Sequence, residues 1–219
     1  MRAPLALAFA LLLCGCGSAP HPPPTNPPRP LPSAGSAAAP RQAPDAIAAA
    51  TSFKTFASAR FDLSLPLPDG AAFRVDDQTE RWLVARHDAT SSVLLVRTWR
   101  EDDVGGRARC EARARTWRDL PAREGSRLVS ASRLAVPPDH DTLAEVLLGP
   151  RATNGEGTDG FVLAFGGWAK RCFAYVFSTR GASERVVMER LAVMVDGSLR
   201  RMRFQSELSP ARPSRGGLP

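Results

Sequence analysis

The sequence predicts an α+β domain, an antiparallel sheet covered by helices. Three features predict it. Residues 161–168 and 171–179 are adjoining apolar and aromatic runs, the pattern of a buried antiparallel hairpin. Two segments, 107–119 and one opening at Ser183, carry apolar residues at helical spacing. The other apolar runs are short and are separated by turn residues.

In chain order, residues 46–59 read as a short helix or turn leading in. Phe61, Leu63 and Leu65 alternate as a strand, closed by Pro66, Pro68 and the Asp69-Gly70 turn. Phe73 and Val75 give a short second strand. Residues 82–87 and 92–100 form a hairpin across the polar stretch 88–91. In the helix at 107–119, Cys110, Ala114 and Trp117 fall at i, i+4 and i+7 and make one apolar face. Arg107, Arg109, Arg113, Arg115 and Arg118 occupy the remainder, and Leu120-Pro121 ends the helix.

Residues 127–136 and 143–149 read as strands on either side of a turn at 137–141, and 153–159 as a Gly-rich polar loop. Beyond the central hairpin, Ser183 caps the second helix and Glu184 favours its dipole. Val187, Leu191 and Met194 are its buried stripe, and Gly197 takes the place of a C-terminal cap. Residues 199–204 close the domain as a helical turn or a strand.

The 219-residue chain carries a formal charge of +7, almost all of it from arginine, with Lys54 and Lys170 the only lysines. Abundant Arg, Ala and Pro fit a GC-rich coding bias. The basic residues are spread along the chain, which argues against nucleic acid as a partner.

Arg2 precedes an apolar run at 3–13, the length of a signal h-region. A bilayer span needs roughly 20 residues. The run Leu13-Cys14-Gly15-Cys16 resembles the bacterial lipobox: a branched apolar residue, a small residue, then Cys. That resemblance implies that Cys16 is diacylated and the chain cut before it, so that Cys14 leaves with the signal. Gly17 is not the Asp that retains lipoproteins in the inner membrane, which favours the outer membrane, with the domain facing the periplasm or cell surface.

Residues 1–15 are then a lipoprotein signal peptide, and 16–46 the lipidated Cys and a Pro-rich linker. Ten of the chain's 20 prolines fall between Pro20 and Pro44. Such a segment favours extended, polyproline-like conformations and spaces domain from membrane. Residues 47–205 form the α+β domain, and 206–219 a disordered tail rich in Pro, Arg and Gly.

Two thiols remain, Cys110 and Cys172. In an oxidising envelope an even pair points to a disulfide. Cys110 lies on the apolar helix face, and Cys172 shares a strand face with Ala174 and Val176. A bridge would pin the first helix onto the sheet.

The sequence names no catalytic residue, cofactor or metal ligand. It has no Gly-x-Ser-x-Gly elbow and no Walker loop. His21, His87 and His140 are not in ligand-type spacing. The acidic groups Asp76-Asp77, Glu101-Asp102-Asp103 and Asp139-His140-Asp141 read as solvated turns. The arginines of the first helix read as a solvated face, with anionic headgroups as the functional alternative. Trp82, Trp99 and Trp117 read as core, and Trp168, at a hairpin end, as exposed.

The order of elements adds a resemblance. It consists of an opening strand ending Leu67-Pro68-Asp69-Gly70, a hairpin through Trp99, a mid-chain helix, further strands, and a closing helix ending Leu199-Arg200-Arg201-Met202-Arg203-Phe204. This series resembles the PsbP-like superfamily, to which DcrB-like bacterial lipoproteins belong. The resemblance spans residues 53–204 and implies an α/β/α sandwich with a binding rather than catalytic role. The expected function is a membrane-tethered, non-catalytic binding or accessory module acting on an envelope protein. A cell-envelope hydrolase or carbohydrate-active enzyme with an unrecognised site is the alternative.

Overall fold

The structure is a computed structural model describing residues 45–79, 81–117, 120, 125–149 and 157–205. Cys16, His21 and the 206–219 tail lie outside the described residues. Among the described residues ten strands and two α-helices form, in the order β1 (Phe53–Ser58), β2 (Leu63–Pro68), β3 (Arg74–Asp76), β4 (Leu83–His87), β5 (Ser92–Arg100), α1 (Arg107–Ala114), β6 (Arg127–Val136), β7 (His140–Leu148), β8 (Thr158–Trp168), β9 (Arg171–Gly181), α2 (Glu184–Val193) and β10 (Arg203–Phe204).

All strand pairs are antiparallel, and they divide between two sheets. A seven-stranded sheet runs β3-β4-β5-β9-β8-β7-β6, and a three-stranded sheet runs β1-β2-β10. The α+β class holds, while the one sheet expected is two. β9 is the central strand, and Cys172–Phe177 is buried on both faces, which is why its sequence is continuously apolar. β8 pairs with it from Thr158–Gly181 to Trp168–Arg171 through a two-residue link, where Ala169 adopts φ 51°.

The small sheet and α2 cover one face of the large sheet. Leu63, Leu65, Leu94, Val96, Phe173, Tyr175, Phe177, Val187, Leu191, Met194 and Leu199 form that core. α1 lies on the other face, over Trp82, Val84, Leu163, Phe165, Ala174 and Val176. The large sheet is therefore sandwiched between layers, as expected.

Three local readings need correction. β1 occupies part of the segment read as a helix or turn; it is a half-exposed edge strand with no apolar alternation to betray it. β2 runs through Pro66 and Pro68 rather than stopping at them. β10 pairs only with Leu63 and Ser64, so beyond them β2 has an open side where a missing N–H costs no ladder bond.

The third concerns Gly197. Ser183 does cap α2, its hydroxyl accepting from Val186 N at 3.4 Å, and Val187, Leu191 and Met194 are fully buried. The helix then continues into a π turn at Met194–Ser198 and a 3-10 turn at Leu199–Arg201. Gly197 sits inside the π turn, where the Phe53 ring fills the space of a side chain.

Candidate binding surface

Cys110 and Cys172 are disulfide-bonded, with Cα atoms 5.5 Å apart. The bridge fastens α1 to the central strand. Gly167 on β8 allows the approach: a Cβ there would lie 2.7 Å from Cys110 Sγ and 2.9 Å from the Arg107 N.

Four of the five arginines expected to be solvated, Arg107, Arg109, Arg113 and Arg115, are ion-paired, Arg109 and Arg113 while still half exposed; Arg118 lies outside the described residues. Arg107 pairs with Glu111 and approaches Asp141 at 3.7 Å. Arg109 reaches Asp103 at 3.5 Å and Glu101 at 3.8 Å. Arg113 donates to both Glu101 oxygens, at 3.1 and 3.2 Å. Arg115 joins Glu111 at 2.7 Å to Glu145 at 3.0 Å. Glu101, read as part of a solvated turn, is buried and accepts from Trp99 Nε1 at 2.8 Å. That bond, aided by Arg113 and Arg109 against the cost of burial, holds its carboxyl below the ordinary range.

Asp76, the last residue of β3, and Asp77 are half-buried and held by local hydrogen bonds. Asp76 accepts from the Gln78 N–H at 2.9 Å and from the Thr79 N–H and hydroxyl, which lowers its pKa. Asp77 accepts from the Ser58 hydroxyl at 2.6 Å.

His140 departs most from its reading. It is the first residue of β7, not part of a turn, and is wholly buried. Its ring stacks on Phe204 at 4.2 Å and meets Phe173 at 5.7 Å. Neither ring nitrogen has a hydrogen-bond partner among the described residues. Burial, reinforced by the charge of Arg171, lowers its pKa to about 4. His140 therefore serves as a neutral aromatic wedge. The available signal was alternation, because Thr142 and Ala144 continue its buried face.

Trp168 is 40 % exposed, as read, and Trp82 is buried. Trp99 and Trp117 are half-buried. Trp117 meets Trp82 and Trp99 edge-on at 5.5 and 4.8 Å, under the Arg97 guanidinium.

Clefts among the described residues include an open one of about 730 Å³ beside Thr90, Gly157, Arg180 and Arg190, and one of about 310 Å³ lined by Phe56, Leu67 and Phe73. One of about 100 Å³, at the ends of β5 and β9, is lined by Phe61, Thr98, Trp99 and Phe204. Its Asp62 and Arg171 pair with each other at 2.8 Å. Among the described residues no three His, Cys, Asp or Glu side chains converge as a metal site would require.

Among the described residues, one edge of the large sheet is also open. Among the described residues β6 pairs with β7 alone and ends the strand order. Leu134 and Val136 are buried, but every residue of 127–133 is exposed, including Leu128 at 48 % and Val129 at 37 %. The register shifts between Leu128 and Ser130, leaving Val129 as a bulge. Opposite β7, Arg127 pairs with Leu148 and Arg133 with Leu143. An odd offset on β7 puts the two arginines on opposite faces. Arg127 bonds Glu184 at 2.6 Å, whereas Arg133 has no ion-pair partner among the described residues. The bounds of this strand are legible in its residues, but its place at the edge is set by the pairing order.

These features define a disulfide-stapled α+β sandwich whose charged side chains mostly engage one another and whose longest open element is a sheet edge. No family model matches the chain, and no curated protein matches it in sequence. Solved structures similar to it include the Ran-binding protein Mog1p of Saccharomyces cerevisiae, with a TM-score of 0.49 and 8 % identity, covering 72 % of this chain and 98 % of that one. The cyanobacterial PsbP of Synechocystis, CyanoP, has a TM-score of 0.41 and 15 % identity, covering 65 % of this chain and 87 % of that one. A Bacteroides thetaiotaomicron protein has a TM-score of 0.43 and 11 % identity over 71 % of this chain. The match covers 50 % of that protein, so this chain spans half its length.

Proposed function

We propose that this chain is a membrane-tethered, non-catalytic binding module of a bacterial cell envelope. It is held through lipidated Cys16 and offers β6 to an envelope protein. The observation that carries this reading is the run of seven exposed residues, 127–133, on a strand with one side unpaired among the described residues. An open edge offers a row of backbone donors and acceptors that another chain can complete. The lipobox-like run at Leu13-Cys14-Gly15-Cys16 supports the tether.

Two measurements test it. A photo-crosslinking residue in place of Ala131, expressed in the native envelope, is expected to capture one discrete protein. Equal capture from a control site on α2 would remove the case for β6. Metabolic labelling with an alkyne fatty acid is expected to mark the wild type and not Cys16→Ser; label retained by that variant would overturn the anchor.

A further inference from the structure

We infer that the partner reaches β6 as an extended, acidic segment that adds an eighth strand to the large sheet. This rests on the reading of β6 as the binding edge and names the chemistry of what it binds. The length suits a peptide strand: seven residues at about 3.3 Å each give on the order of 20 Å of ladder.

Charge selects the occupant. β6 contains Arg127 and Arg133 and no acidic residue. The bulge at Val129 turns these arginines to opposite faces near opposite ends of the exposed run. An incoming strand therefore meets an arginine on each face, Arg127 sharing its charge with Glu184 and Arg133 without an ion-pair partner among the described residues. Carboxylates five positions apart along an unbulged strand project to opposite faces, matching that pattern. Arg133, without an ion-pair partner among the described residues, is the stronger determinant, because Arg127 already holds Glu184.

The same charges disfavour a second copy of this chain. Two β6 strands side by side would gather four arginines and no β6 carboxylate to receive them. Like charges across a strand pair are destabilising.

The test is amide hydrogen exchange on the full-length protein with two end-capped, eight-residue valine–threonine peptides. One carries two glutamates five positions apart, and the other carries lysines there. The glutamate peptide is expected to slow exchange across 127–133, and the lysine peptide to leave it unchanged. Arg133→Glu is expected to weaken the glutamate peptide about fivefold, and Arg133→Lys to retain its binding. Equal protection by both peptides would overturn the acidic preference and leave the edge standing. Protection by neither overturns the proposal, while crosslinking from position 131 judges the edge separately. Protection of β6 that grows with protein concentration alone, with a dimer in sedimentation, assigns the edge to a second copy and also overturns the proposal.

Discussion

α2 lays Val187, Leu191 and Met194 onto one face of the large sheet, where they meet Phe173, Tyr175 and Phe177. α1, on the opposite face, buries only Cys110 and Ala114. Eight residues are too few for a stable helix in isolation. Its sequence offers little apolar surface to offset that. A disulfide, a chain of arginine–carboxylate pairs and a tryptophan cluster hold it instead. The arginine density of α1, which as sequence suggests a cationic surface, is a means of attachment. Where burial is scarce, covalent and ionic ties take its place.

Removing the covalent tie is the most disruptive change for α1. The cysteines lie 62 residues apart. In the chain-entropy model, Cys172→Ser is expected to lose about 4 kcal/mol in urea unfolding. A loss below about 1 kcal/mol would show that the ion pairs alone retain α1. On the other face, Leu191→Ala should cost about 3 kcal/mol through lost burial and the cavity left behind. An unchanged midpoint would refute the role assigned to α2.

Stability also follows pH through His140. His140 sits near pKa 4 when folded, against about 6.5 unfolded. The unfolded chain thus binds the extra proton between those values. The stability tied to neutral His140 is complete above about pH 6.5 and is lost as pH falls toward 4. Replacing the ring by His140→Phe is expected to recover about 2 kcal/mol at pH 5 relative to wild type, with a smaller difference at pH 7.5. Parallel pH profiles for the two proteins would contradict the buried, neutral imidazole. The smallest effect belongs to the exposed side of the ion network. Arg113→Ala should cost about 0.5 kcal/mol, and less in high salt. Thermal unfolding at two salt concentrations checks it.

What sequence made legible follows from how fully each segment is buried. The β8–β9 hairpin was plain because both strands run almost wholly apolar, and α2 because its cap and stripe agree. The disulfide was legible because the two faces carrying its cysteines could both be read as apolar. β1 was not, since Phe53-Lys54-Thr55-Phe56-Ala57-Ser58 mixes exposed and half-buried positions on a sheet edge. His140 was hidden by its neighbours: flanking aspartates and two preceding prolines spell a turn. The proposed binding edge was legible as a strand only. Which strand lies outermost depends on the pairing order, and local pattern does not encode that.

Asp45, the first described residue, has a mechanical consequence. Its carboxylate accepts from the Ile47 and Ala48 amides and is clasped by Arg190 at 2.5 and 2.8 Å. Arg190 in turn donates to the Thr90 carbonyl, the Thr179 hydroxyl and the Arg180 carbonyl. A pull arriving along the chain ahead of Asp45 therefore passes into α2 and the end of β9 before it reaches β1. The outer strand of the small sheet, which a direct tug would unzip one pair at a time, is sheltered behind that clasp. The domain meets tension at a bolt rather than at a seam.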